Sequence, residues 1–151
     1  MDSEAQRYKQ QEKELQMKPC EKWDQLIEQT TLELPGTTRD YKPEWDAVRY
    51  FVGELMFAMR GENKNGDSLL TLKLPIGDGE ILRSRYPDII PGYYMNKQHW
   101  NSLLLDGDVP KLVLIDCIQL AYQTVFMKLT KKKQREITES CPAAQTAGTR
   151  Y

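Results

Sequence analysis

Tyr86-Pro87-Asp88-Ile89-Ile90-Pro91-Gly92-Tyr93-Tyr94-Met95-Asn96-Lys97-Gln98-His99-Trp100-Asn101, running on to an apolar pattern that opens at Pro110, is the stretch that decides the fold. It reads as a proline-bounded loop, a polar turn at residues 96–99 and a strand over residues 100–105, closed by Asp106-Gly107-Asp108. Pro110 suits the first turn of a helix, where the missing amide costs nothing. Beyond it Leu112, Ile115, Cys117, Ile118, Tyr122, Val125 and Phe126 recur as a wide apolar stripe, and Leu129 continues it by a turn.

Outward from that centre, residues 20–34 place Trp23, Leu26, Ile27, Thr30 and Leu34 at helical spacing, and Leu34-Pro35-Gly36-Thr37 ends the helix. Trp45, Val48, Tyr50 and Val52 fit a strand, and residues 55–59 form a second. A polar hairpin over residues 61–67 leads into a third, in which Leu70, Leu72 and Leu74 face one way and Leu69, Thr71 and Lys73 the other. Residues 80–86 have room for two helical turns before Pro87. Three strands with short links, then helix, strand and helix, predict an α+β fold: an antiparallel sheet covered by helices.

The chain has 151 residues, 40% hydrophobic and 28% charged, a balance suited to one globular domain. Its net charge of −1 is unevenly spread: residues 1–40 carry −3, residues 41–127 carry −2 and residues 128–151 carry +4. A broad positive field of the kind expected for strong nucleic-acid binding is therefore lacking. Three widely spaced cysteines, Cys20, Cys117 and Cys141, match neither a disulfide scaffold nor a paired metal motif. No run reaches the roughly 18 apolar residues of a membrane span, so no membrane partner is expected and the cytoplasm is the expected location. The expected division is a polar arm or helix over residues 1–19, a domain over residues 20–129 and a basic, mobile tail over residues 130–151.

The ordered pieces resemble the MmcQ/YjbR-like family of small bacterial proteins. The resemblance is carried by Leu34-Pro35-Gly36-Thr37, Phe57-Ala58, Leu72-Lys73-Leu74, the run from Pro91 to Asn101, Leu105-Asp106-Gly107-Asp108-Val109-Pro110 and Ala121-Tyr122-Gln123-Thr124-Val125. It implies a small double-wing α+β domain, an arrangement that has prompted the suggestion of DNA binding, with no reaction established for the family. Two positions depart from its pattern. Glu54-Leu55-Met56 stands where a lysine commonly precedes Phe57-Ala58, and Ala121 stands where serine is common.

The candidate ligand or nucleic-acid contacts follow from side-chain chemistry. In the turn, Asn96 accepts unusual backbone angles, Lys97 can meet a phosphate as a point charge, and Asn101 can make directional amide contacts beside His99 and Trp100. Against this stands an architectural reading, in which Asn96 and His99 bond the loop backbone and Trp100 anchors the strand. Tyr93 and Tyr94, with Arg83 and Arg85 nearby, have the makings of a base-stacking and phosphate-binding loop. Lys73 is held on a strand, and Lys131, Lys132 and Lys133 belong to a basic run that either reaches phosphates or complements the end of the last helix. His99 is the only histidine, and no acidic, cysteine or glycine-rich motif gathers metal or cofactor ligands, so no cofactor is expected. The leading expectation is an intracellular binding module with DNA as its partner. The alternatives are a small-molecule enzyme using His99, with Cys117 as a distant candidate, or a protein-interaction domain.

Overall fold

The computed structural model describes residues 19–92 and 96–140. In chain order the elements are α1 (Pro19–Leu32), β1 (Thr37–Lys42), β2 (Ala47–Val52), β3 (Leu55–Glu62), β4 (Ser68–Lys73), α2 (Ile76–Arg85), β5 (Ile89–Pro91), β6 (Trp100–Leu104), α3 (Lys111–Phe126) and α4 (Lys131–Ser140). The strands make one six-stranded sheet in the order β1-β2-β3-β4-β6-β5. Every neighbouring pair is antiparallel. The expected α+β architecture is thus present.

Four strands precede α2, one more than the sequence pattern predicts. The additional strand is β1, whose Thr-Thr-Arg-Asp-Tyr-Lys sequence is largely exposed and has no apolar alternation. An edge strand buries too little to leave a hydrophobic signature. It is secured by polar contacts instead: Arg49 on β2 donates to both carboxylate oxygens of Asp40, the Nε bond measuring 2.8 Å. The hairpin that joins β1 to β2 carries Asp46 at φ 48°, and the Tyr41 hydroxyl donates to its carboxylate at 2.5 Å.

Register sorts the strand residues into two faces. Tyr50, Ala58, Leu72 and Asn101 line up across β2, β3, β4 and β6, and Leu70, Leu103 and Ile89 form the adjacent row on the same face. A bulge at residues 57–58, between the Tyr50–Ala58 and Phe51–Met56 pairs, turns both Phe57 and Ala58 inward, where each is fully buried. This face meets α1 and α3 in one continuous core. Asp24 of α1 pairs with Arg60 at 2.6 Å, and Glu28, one turn later, pairs with Arg39 at 2.9 Å and accepts from the Tyr50 hydroxyl.

Helix α3 starts after Pro110, as expected, but its apolar stripe is rotated from the predicted one. Leu114, Cys117, Ile118, Ala121, Tyr122 and Val125 are buried, while Leu112 is 72% exposed and Ile115 only half-buried. Ala121, fully buried, stands at the centre of the buried stripe. The Phe57 and Tyr122 rings meet edge to face at 5.6 Å, and the Tyr122 hydroxyl donates to the Pro35 carbonyl at 2.6 Å.

The expected continuation of α3 through Leu129 and the trailing basic tail are replaced by a break and a second helix. Leu129 turns in against Gly53, and Thr130 caps α4 by accepting from the Lys133 amide at 3.1 Å. Ile137 then docks, 6% exposed, against Gly36 at the α1–β1 junction. Residues 131–140 are therefore folded onto the domain. No described helix is long and apolar enough to cross a membrane.

Candidate functional site

The turn at residues 96–99 is held by its own backbone and by one asparagine. The Asn96 side-chain oxygen accepts from the Gln98 amide at 2.9 Å, and its carbonyl accepts from the amides of His99 and Trp100 at 3.2 and 2.9 Å. The His99 carbonyl in turn accepts from Leu74 at 2.8 Å, fixing the turn to the end of β4. The Asn96 side chain thus serves the loop backbone, and His99 takes part through its main chain. Lys97 projects from this turn and is exposed. Tyr93 and Tyr94 lie outside the described residues.

Asn101 differs from its expected role. It is fully buried on the helical face of the sheet, where its side-chain oxygen accepts from Arg83 of α2. Gly79 of α2 leaves the space for it: a Cβ at that glycine would stand 2.9 Å from the Asn101 amide nitrogen. Two sequence candidates therefore bind each other across the α2–sheet contact and are not presented to a ligand. Arg85 is exposed in the last turn of α2, where its charge is favourable to the helix dipole.

Lys73 lies on the opposite face. It stands across from Trp100 in the β4–β6 ladder, with its ammonium 5.9 Å from the centre of the indole ring. Trp100 is half-buried there and does not anchor the core. The charge of Lys128, from the turn that follows α3, acts on Lys73. Partial burial first, and then this second cation, push the Lys73 pKa below the ordinary lysine value. Neither lysine is paired with a carboxylate among the described residues. The sequence places Lys128 in the basic run but does not show its influence on Lys73, because 55 positions separate the two.

Lys131, Lys132 and Lys133 follow at once. They occupy the first turn of α4, with no acidic residue among them. The reading in which their charge complements a helix C-terminus is corrected by the break at Thr130: they sit at an N-terminus, where exposed amides disfavour cations. Among the described residues, Lys133 alone of the three has a carboxylate within ion-pair distance, Glu136 at 4.0 Å.

The residues considered for catalysis lie on separate elements, Cys117 on α3 and His99 in the turn before β6. Cys117 is buried in α3, and burial followed by the Asp116 charge pushes its thiol up to about 11. His99 contributes its carbonyl to Leu74 and, at 3.4 Å, to the Asn101 amide. A cavity of about 200 Å³ lies elsewhere, lined by Asp67, Ser68, Asp88, Leu104, Asp106 and Gly107. Asp88 is already used there as an acceptor for the Asp108 amide at 2.8 Å. Among the described residues no cluster can hold a metal ion.

At the far hairpin, Lys42 and Arg49 stand 4.6 and 5.6 Å from the ring centre of Trp45. Trp45 is 51% exposed, and its ring is engaged by these cations.

An antiparallel sheet with helices packed on one face, and two hairpin wings projecting from it, defines a small α+β double-wing domain. The YjbR family model matches residues 32–124, and the chain belongs to that family. It is 28% identical over 105 residues to the uncharacterized protein YjbR of Escherichia coli K12, covering 70% of this chain and 88% of the relative. The uncharacterized protein YbdF of Escherichia coli O157:H7 is 30% identical over 108 residues, covering 70% and 86%. Among solved structures, protein DR2400 of Deinococcus radiodurans is similar with a TM-score of 0.66 and 31% identity, over 74% of this chain and 84% of that one. A Pseudomonas syringae protein shares the fold at a TM-score of 0.53 and 24% identity, over 67% and 96%.

Proposed function

We propose that this domain binds DNA through the cationic strip formed by Lys73, Lys128, Lys131, Lys132 and Lys133, with Lys97 at its margin. The observation that carries the reading is the run of Lys131, Lys132 and Lys133 in the first turn of α4, with no acidic residue among them. Three of these cations oppose the dipole of the helix that bears them, and Lys128 disfavours the charged form of Lys73. A polyanion relieves both costs. Trp100 beneath Lys73 adds an aromatic surface beside the phosphate contacts.

Charge governs such binding, and outside these five lysines the chain carries a net charge of −6. Affinity should therefore be modest and steeply dependent on salt. Engaging all five lysines with duplex phosphates gives a slope of log K against log salt of up to about −4.5. The test is a low-salt titration of the protein into labelled single- and double-stranded DNA. Saturable binding that weakens along such a slope supports the proposal, and a flat signal at high micromolar protein refutes it.

A further inference from the structure

We propose that residues 1–18, which precede α1 and lie outside the described residues, dock on the outer face of the sheet, the one opposite the helices, through Met1, Ala5, Tyr8 and Leu15. The inference stands independently of the DNA-binding reading.

The outer face is buried where no described element covers it. Ala47, Met59 and Leu69 are 2%, 8% and 5% exposed and stand outside the continuous core. Thr71 and Ser102, whose hydroxyls meet at 2.8 Å, are 5% and 0% exposed. Register places all five on the face away from Tyr50, Ala58, Leu72 and Asn101. Helices α1, α2 and α3 meet that other face, Glu28 at Tyr50, Gly79 at Asn101 and Tyr122 at Phe57, and α4 reaches the fold at Gly36, ahead of β1. A solvated face of an antiparallel sheet reads as polar. This one also carries Phe51, Met56, Ile90 and Leu104, as a face with a second layer does.

The path of the chain selects the occupant. Asp24 of α1 bonds Arg60 and Glu28, one turn later, bonds Tyr50, so α1 runs away from the hairpin at residues 63–67. Five residues further back along the helix, about 7.5 Å, Pro19 comes to the hairpin end of the sheet. The outer rows nearest that end, through Leu69 and Thr71, are the buried ones, while Phe51, Lys73 and Trp100 in the far row are only half-buried. Residues 93–95 adjoin the far row through Gly92, and residues 141–151 follow α4, whose Ile137 sits at the far end against Gly36. Eighteen residues in helical form span about 27 Å. Six strands side by side span about 24 Å. At helical spacing Met1, Ala5, Tyr8 and Leu15 fall in one narrow stripe, interrupted by Glu12, in a segment with four acidic and four basic side chains. Such a segment suits a layer with the sheet beneath it and water above.

The test follows alkylation of Ser102→Cys in the full chain by peptide mass spectrometry, with the buried Cys117 as the reference for an intact fold. The new thiol should react slowly, at a rate independent of protein concentration. Adding Tyr8→Asp and Leu15→Asp should speed it at least tenfold while Cys117 stays unreactive. An unchanged rate overturns the proposal, and so does protection that disappears on hundredfold dilution, which would make a second copy the cover. Where the double variant also exposes Cys117, Tyr8→Ser and Leu15→Ser decide singly: each should speed the Ser102→Cys reaction severalfold with Cys117 protected, and no change in either overturns the docking.

Discussion

Replacing Asn101 by alanine separates architecture from recognition in the turn-and-strand segment. The Asn101 side chain is fully buried and its oxygen accepts from the half-buried Arg83 guanidinium, while the amide nitrogen reaches only the His99 carbonyl at 3.4 Å. Loss of a hydrogen bond to a charged donor costs about 1.5–3 kcal/mol. The space left beneath Gly79 adds about 1 kcal/mol in lost packing. Asn101→Ala should therefore destabilise the fold by about 2–4 kcal/mol, a fall in Tm of roughly 5–15 °C for a chain of this size. Urea denaturation of Asn101→Ala, Arg83→Ala and the double variant should give a coupling of about 1–2 kcal/mol between the two side chains. DNA affinity, measured well below the lowered Tm, should change by less than about twofold. A variant as stable as the parent but deficient in binding would refute the reasoning and make Asn101 a ligand contact.

Gly36 has φ +73°, and a Cβ there would stand 2.8 Å from Ile137 of α4. Gly36→Ala should cost about 2 kcal/mol through backbone strain and displacement of Ile137, seen as faster amide exchange throughout α4. Lys73→Met should stabilise the free protein by about 0.5 kcal/mol by removing a repelled, partly buried charge. Because the folded-state pKa of Lys73 lies below the free value of 10.5, the penalty is present at pH 7 and disappears as pH rises past 10.5; the advantage of Lys73→Met in urea melts should shrink accordingly. Cys117, buried and with its thiol raised, should resist iodoacetamide at pH 8 in the native protein and react on unfolding, as read by peptide mass spectrometry.

The parts of the fold legible in the sequence are those with strong local signals. The alternation of Leu70, Leu72 and Leu74 against Leu69, Thr71 and Lys73 marks β4, and Leu34-Pro35-Gly36-Thr37 marks the end of the first helix. β1 was not legible because an edge strand of Thr, Arg, Asp, Tyr and Lys is held by cross-strand charge pairs and not by burial. The rotation of α3 was not legible because the apolar residues of this helix run nearly all round it, Leu112 and Ile115 included, so the sequence does not say which of them face the sheet. For the site, Lys73 was recognisable as a strand-borne cation, but the face it shares with Trp100 depends on the β4–β6 register. The influence of Lys128 on it depends on where α3 stops, and the orientation of Lys131, Lys132 and Lys133 depends on Thr130 starting a new helix. Arg83 and Asn101 read as ligand contacts because polar side chains that satisfy each other in the interior look the same in sequence as those that await a partner.

The salt dependence of DNA binding, compared between the parent and the Lys131→Met/Lys132→Met/Lys133→Met variant, tests the central claim most directly. Each lost phosphate contact removes about 0.9 from the slope of log K against log salt on duplex DNA. The account predicts saturable binding by the parent and a slope shallower by about 2–3 in the triple variant. Parent protein that shows no saturable binding at low salt, or a triple variant with an unchanged slope, would contradict it.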